Sequence, residues 1–173
     1  MLFRSVGPEY RDTIGDTAHR DHAGYGSLRY TNTTGRNDFV AMKAAYDAKN
    51  VYFYAQTRES ITAPEGGNWM LLFIDADQNA KTGWNGYDYV LNRSVSDNGK
   101  TTVYRWDATQ WTKQAEATYR IKDNQMEIAV ERGLVGLQGN PLRFDFHWAD
   151  NMQNDDDITE FALDRKSVCR ERV

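Results

Sequence analysis

The clearest pattern along the chain is an alternation with a period of two residues. It begins where Val40, Met42, Ala44 and Tyr46 alternate with Ala41, Lys43 and Ala45. This is the period of a strand with one buried face. Residues 51–58 alternate again after the turn residues 47–50. The pattern therefore predicts an antiparallel hairpin.

Residues 69–76 are apolar on both faces, which predicts a central strand. Turn residues separate further strand-like segments, at 86–93, 100–107, 114–122, 125–131, 142–149 and 158–163. Asp123-Asn124 forms a two-residue connection, and residues 132–137 fit one helical turn. Short strands at this spacing, with no long amphipathic helix, predict an all-β fold. We expect an antiparallel, jelly-roll-like β-sandwich of about nine to ten strands.

The chain divides into three segments that differ in composition and periodicity. Residues 1–36 are polar with little periodicity, and we interpret them as an N-terminal strap that is part of the domain. Residues 37–164 carry the strand pattern and form the sandwich itself. Residues 165–173 are rich in Arg and Lys and hold the one cysteine, Cys169. We interpret this segment as a disordered or cloning-derived tail.

Composition excludes several function classes. The net charge is −4, so no basic field attracts nucleic acid, and no nucleic-acid partner is expected. The longest apolar run, residues 70–74, is far shorter than a membrane span, so no membrane partner is expected. One cysteine excludes an internal disulfide and a thiolate metal cluster. The N-terminus lacks the apolar stretch of a signal peptide, which indicates either a cytoplasmic protein or a module of a longer secreted chain.

The run that follows residue 74 has the spacing of a cation-binding loop. Asp75, Asp77 and Asn79 alternate and can turn three oxygen-bearing side chains toward one point, and Gly83 then permits a sharp turn. Hard cations such as calcium prefer oxygen ligands in this arrangement, and Asp88 can supply a fourth. We therefore predict structural calcium at these residues. The alternative is a polar turn whose side chains cap backbone amides.

Aromatic residues cluster near the same loop. Trp84 lies between two glycines, where burial is hard to arrange, and Tyr87 follows it closely. Trp106 and Trp111 flank the turn residues 107–110. Exposed aromatic rings stack on the C–H face of sugars, whose hydroxyls bind planar polar groups. The pattern indicates sugar platforms, and the alternative is that these tryptophans fill the ends of the sandwich.

Histidines and acidic residues offer weaker candidates. His19 and His22, with Asp16 and Asp21, have a spacing that can bind zinc, although such a run is more often solvated surface. His147 alternates to the face opposite Phe146 and is expected at the surface. The sequence holds no hydrolase, kinase or dinucleotide motif. We expect no enzymatic activity from this chain.

Three runs together resemble the family-9-type carbohydrate-binding fold: VYFY at 51–54, FIDADQNAKTGWNGYDYVLNR at 73–93 and FDFHWADN at 144–151. The N-terminal YRDTIGDTAHRDH at 10–22 and TGRNDF at 34–39 are similar to the first part of those modules. The resemblance implies a β-sandwich with structural calcium that binds sugar between aromatic side chains. It matches Lys81, Thr82, Gly83 and Trp84 to the family's turn and Asn92, followed by Arg93, to its strand end. Val90 stands where the family has Arg, and the strand with Leu71 and Leu72 lacks the family's Glu.

The resemblance implies a non-catalytic module that holds an attached catalytic domain near polysaccharide. The whole protein would then be secreted or at the cell surface. One alternative is an architectural accessory domain, and another is the related DOMON type, which binds haem and could use Met70, Met152 or His147. An autonomous glycoside hydrolase is the remaining alternative.

Overall fold

The computed structural model of the chain describes residues 8–15, 17, 20–23, 29–65, 68–96, 98–139, 141–150 and 171–172. In sequence order the strands there are β1 (Tyr10–Arg11), β2 (Arg20–Ala23), β3 (Arg29–Asn32), β4 (Phe39–Tyr46), β5 (Asn50–Thr57), β6 (Leu71–Asp75), β7 (Tyr89–Ser96), β8 (Lys100–Trp106), β9 (Trp111–Lys122), β10 (Gln125–Glu131), β11 (Asp145–Ala149) and β12 (Glu171–Arg172). A short 3₁₀ helix, Arg132–Val135, lies at the predicted helical turn. No helix in these ranges is long and apolar enough to cross a membrane.

Within the described ranges, ten strands form one antiparallel sheet, in the order β1-β4-β5-β10-β9-β8-β7-β6-β11-β12. β2 and β3 form a separate hairpin. Rings from distant strands meet inside, since Phe53 on β5 lies 5.6 Å from Phe146 on β11. The sheet therefore curls until its two halves face each other. The predicted all-β, sandwich-like fold is confirmed.

Local sequence explains the first hairpin, β4–β5. The carboxylate of Asp47 accepts hydrogen bonds from the backbone N–H of Lys49, at 2.8 Å, and of Asn50, at 2.7 Å. This closes the turn so that Tyr46 pairs with Val51, and the predicted hairpin is confirmed.

The main core lies between the two halves of the curled sheet. Inward-facing side chains of every strand from β4 to β11 contribute to it, and its largest fully buried members include Phe53, Phe144, Phe146 and Trp148. β6 lies between β7 and β11 and is buried on both faces. This confirms its prediction as a central strand.

The starts of three observed strands differ most from the predicted ones, and one of these is β11, which begins at Asp145 rather than at residue 142. The segment predicted to be a strand from residue 86 becomes one only at Tyr89, because a tight turn bridges Trp84 and Tyr87. β9 begins earlier than predicted, at Trp111. The predicted strand 158–163 lies outside the described residues.

His147 is fully buried, so its predicted surface position is wrong. The alternation assigned its face correctly, because Phe146 and Trp148 belong to the main core. The opposite face, however, is also covered. There the ring of His147 lies 6.3 Å from Phe73 and 6.0 Å from Tyr87.

The N-terminal strap contacts the sheet at several points. β1 pairs with β4, and the Gly15 N–H donates to a carboxylate oxygen of Asp38 at 2.8 Å. At the end of the strap, Arg36 Nε lies 2.9 Å from Asp150 Oδ2, and both side chains are largely buried. In the tail, residues 171–172 pair with β11.

The predicted zinc ligands are only partly within the described residues. Asp16 and His19 lie outside them. His22 is exposed and its Nδ1 lies 3.0 Å from the carbonyl oxygen of Ala23. Asp21 forms an exposed ion pair with Arg29 at 2.7 Å.

Candidate functional site

The loop between β6 and β7, residues 76–88, builds one wall of the candidate site. Gly83 has φ 66°, and a Cβ there would lie 2.3 Å from the carbonyl oxygen of Tyr87. Only glycine fits this close approach. Trp84 and Tyr87 then exchange two backbone hydrogen bonds of 2.7 and 2.9 Å, and both side chains lie against the sheet.

Those two side chains belong to a second apolar cluster, on the outer face of the sheet, which we call the outer cluster. It contains Leu71, Phe73, Trp84, Tyr87, Val90 and Trp111. The Trp84 ring stacks on Phe73 at 5.5 Å between centroids and lies 6.1 Å from Trp111. Because the outward side chains of β6 are apolar, burying them under aromatic rings is favourable.

Three residues predicted to contact sugar are buried in the outer cluster. Trp84, Tyr87 and Trp111 are only 7%, 4% and 8% exposed. The prediction that Trp84 stands exposed as a sugar platform is therefore wrong, and Tyr87 and Trp111 present no open ring face either. Trp84 and Trp111 are buried, as in the alternative that the tryptophans fill the ends of the sandwich, but they cover the outer face of the sheet.

Asn92 is also buried, and its polar groups are used inside the fold. Its side-chain amide donates to the carbonyl oxygen of Met70 at 2.7 Å, and its Oδ1 accepts from the Thr101 hydroxyl at 2.6 Å. These bonds hold a β-bulge in which Asn92 has φ 70°. It is thus not placed to contact a sugar. Arg93 is exposed, with its guanidinium 5.2 Å from the centre of the Tyr104 ring.

Beside the outer cluster lies an open groove of about 800 Å³, between loop 76–88 and the turn that joins β8 to β9. Trp106 lines this groove and is half-buried. Its ring meets Trp111 edge-on, with centroids 5.2 Å apart. Polar side chains of both walls also line the groove, among them Lys81, Arg105 and Gln114. Of the predicted aromatic platforms, Trp106 is the one beside an open space.

The far wall is held by Asp107. Its Oδ1 accepts hydrogen bonds from the backbone N–H of Thr109 and Gln110, at 3.0 and 2.8 Å, and from the Thr109 hydroxyl at 2.8 Å. Its Oδ2 accepts from the Thr112 hydroxyl at 2.9 Å. The Thr109 hydroxyl, followed by the backbone bond from Gln110, holds the pKa of Asp107 far below its usual range. The turn is therefore ordered by its own side chains.

Three carboxylates converge at the near wall. Asp75, Asp77 and Asp88 each have an oxygen within 4.8 Å of the others, and we call them the acidic cluster. Asp77 and Asp88 also line the groove. Backbone hydrogen bonds from Asp88 to Ile74, at 2.8 Å, and from Trp106 to Asp88, at 2.9 Å, fix its position.

The buried position of Asp88 beside Asp77 changes the pKa of its carboxyl group. Burial raises the pKa of Asp88 above its ordinary value, and the nearby Asp77 charge acts in the same direction. A hydrogen bond of 2.9 Å from the Ala76 N–H to Asp88 Oδ2 opposes the rise. Ionised carboxylates this close repel one another, which a bound cation would relieve.

The donor set fits a hard cation. Calcium is bound by carboxylate oxygens of this kind, and the fold brings together three of the four predicted ligands. The fourth, Asn79, directs its Oδ1 to the Lys81 N–H at 3.2 Å. Asp77 also caps the turn, since its Oδ1 accepts from the Asn79 N–H at 2.9 Å. The loop therefore has features of both the metal-site and the polar-turn interpretations.

Sequence reasoning missed Lys81, Arg105 and Gln114 as groove residues. Alternation gave no signal for Arg105, because Arg105 and Trp106 are consecutive in β8 and such residues point to opposite faces. Arg105 pairs with Thr112 across the β8–β9 hairpin, and both residues line the groove. The sequence pattern around Lys81 indicates only a turn.

Comparison with family models, curated proteins and solved structures found no match to the chain. The resemblance to family-9-type modules therefore stays a prediction.

Proposed function

We propose that this chain is a non-catalytic carbohydrate-binding domain that holds its sugar in the groove beside Trp106. The observation that carries the proposal is an open groove with one half-buried indole on its wall and planar polar groups around it. Its volume is within the range of about 300–1,000 Å³ common for ligand sites.

The groove has the groups that sugar recognition needs. A pyranose ring can stack its C–H face on Trp106. The guanidinium of Arg105 and the amide of Gln114 can then hydrogen-bond its hydroxyls. Because Trp106 is supported edge-on by Trp111, its ring is held in place before a sugar arrives, which lowers the entropic cost of binding.

In this proposal the domain brings an attached catalytic domain to polysaccharide, outside the cell or at its surface. The support is the resemblance of residues 73–93 to modules of that kind.

Binding by isothermal titration against soluble oligosaccharides, with affinity electrophoresis for polysaccharides, tests the proposal. We expect Trp106→Ala to abolish binding and leave the fold intact. Tyr46→Ala is the matched control, since Tyr46 is an exposed aromatic residue on β4. Equal binding by parent and Trp106→Ala would assign the sugar to another surface. No binding across neutral and acidic glycans would favour an architectural accessory domain instead.

We further propose that the acidic cluster holds a structural calcium ion through Asp75, Asp77 and Asp88. The ion would neutralise three converging charges and tie loop 76–88 to the ends of β6 and β7. Calcium should then raise the melting temperature of the chelator-treated protein, because a ligand that binds only the folded state stabilises it. Asp77→Asn should remove most of this rise, whereas Asp123→Asn, in the exposed β9–β10 turn, should keep it. An identical melt with calcium and with chelator would leave only the polar turn.

The haem-binding alternative has less support. Met70 is part of the main core, whereas His147 contacts the outer cluster on the other side of the sheet. These two residues are not placed to ligate one iron from opposite sides. Met152 lies outside the described residues. The absence of a haem spectrum after reconstitution is the expected result.

A further inference from the structure

The groove contains two cationic side chains that donate no hydrogen bond within the described residues, although the charge of Arg105 acts on the nearby Asp88. Lys81 on loop 76–88 and Arg105 on β8 both line it and are exposed. Neither side chain makes a hydrogen bond or ion pair within the described residues. Elsewhere on the surface, cationic side chains do pair with acids, as Lys113 does with Glu116 at 3.3 Å.

The carboxylates of the groove are in the opposite situation. Asp107 accepts three hydrogen bonds from its own turn and a fourth from Thr112 on β9. Asp77 Oδ1 accepts from the Asn79 N–H at 2.9 Å, and the Thr82 hydroxyl lies 3.0 Å from Asp77 Oδ2. Asp88 accepts from the Ala76 N–H. Acceptors in the groove are therefore largely engaged, while the strongest donors, Lys81 and Arg105, are still available.

We propose that the groove selects an acidic saccharide, with a sugar carboxylate bound by Arg105 and Lys81 while a ring stacks on Trp106. This inference rests on the proposed function and names the class of sugar. A guanidinium binds a carboxylate through two parallel hydrogen bonds, and an ammonium adds a point charge without a fixed direction. In this proposal Arg105 orients the carboxylate, and Lys81 neutralises its charge.

The overall charge makes the inference specific to this site. The chain carries −4, so a polyanion gains no general attraction from the protein surface. Preference for an acidic over a neutral sugar must then come from local groups.

The test compares trigalacturonate with its fully methyl-esterified form, at one fixed calcium concentration. The ester keeps the ring and removes the charge. We expect the acid to bind at least about tenfold tighter, equivalent to about 1.4 kcal/mol, and higher salt to reduce this preference. Arg105→Gln and Lys81→Gln should each remove most of the preference while the protein still melts as the parent does. Arg120→Gln and Lys122→Gln remove the same charges at the opposite end of β9 and should not change it.

The outcomes separate the inference from the proposed function. Equal binding of acid and ester would overturn the inference and leave a neutral-sugar module. Binding of a sulfated oligosaccharide but not the uronate would overturn the assignment of the carboxylate. A preference that survives in both Arg105→Gln and Lys81→Gln would overturn the residue assignment. If no glycan of any kind binds, the proposed function itself fails.

Discussion

Replacing Trp84 with alanine separates the two roles that a tryptophan can have beside this groove. Trp84 is buried in the outer cluster, where it stacks on Phe73 at 5.5 Å. Trp106 is half-buried at the groove wall. We therefore expect Trp84→Ala to reduce stability and Trp106→Ala to reduce sugar binding.

The size of the stability loss follows from burial. A large aromatic side chain buries up to about 250 Å², which at about 25 cal/mol per Å² corresponds to an upper bound of about 6 kcal/mol. Deletions of buried Phe or Trp cost about 3–5 kcal/mol, and a loop residue permits some relaxation. We expect a loss of about 4 kcal/mol in the free energy of unfolding, equivalent to a melting point about 8–16 °C lower.

Urea unfolding followed by far-UV circular dichroism measures the loss, and titration at a temperature where both proteins are folded measures binding. Trp106→Ala should lose no more than about 2 kcal/mol of stability, because less of its ring is buried. A Trp84→Ala protein that unfolds like the parent but no longer binds sugar would refute the assignment of Trp84 to the outer cluster.

Three further predictions concern the loop and the strap. Gly83→Ala should cost at least about 2 kcal/mol in urea unfolding, because its Cβ meets a carbonyl oxygen at 2.3 Å. Gly99→Ala, also at positive φ but with its nearest atom at 3.1 Å, should cost less. In chelator, Asp88→Asn should gain stability over the parent as the pH rises above 3.8, because a raised folded pKa makes ionisation oppose folding; a pH-independent difference would contradict this. Arg36→Met should cost about 3 kcal/mol, because it leaves the Asp150 carboxylate buried without its cation, and an unchanged midpoint would show that the pair contributes little.

The strands could be predicted from the sequence because alternation is a local property. β4 and β5 were found from their period and their turn residues alone. The convergence of Asp75 and Asp77 was also predictable, because two polar residues spaced two apart where a strand ends can turn toward the same point.

The burial of side chains on the outer face of the sheet could not be predicted from the sequence in the same way. Alternation gives the face of a residue such as His147 but does not say what covers that face. A partial signal did exist, since β6 is apolar at consecutive positions and its outward Phe73 requires a cover. Trp84 and Tyr87 are the nearest aromatic residues after that strand. Their burial depends on a turn at Gly83 whose shape the sequence does not specify.

The order of strands in the sheet has a consequence for how the chain acquires its structure. β10 lies between β5 and β9, and β11 pairs with β6, so residues near position 53 must find partners near position 128. Such pairings close long loops before they gain stabilising contacts, and domains dominated by them fold over about milliseconds to seconds. No cut in the middle of this chain would yield a self-sufficient half, because each fragment would expose unpaired strand edges prone to aggregation.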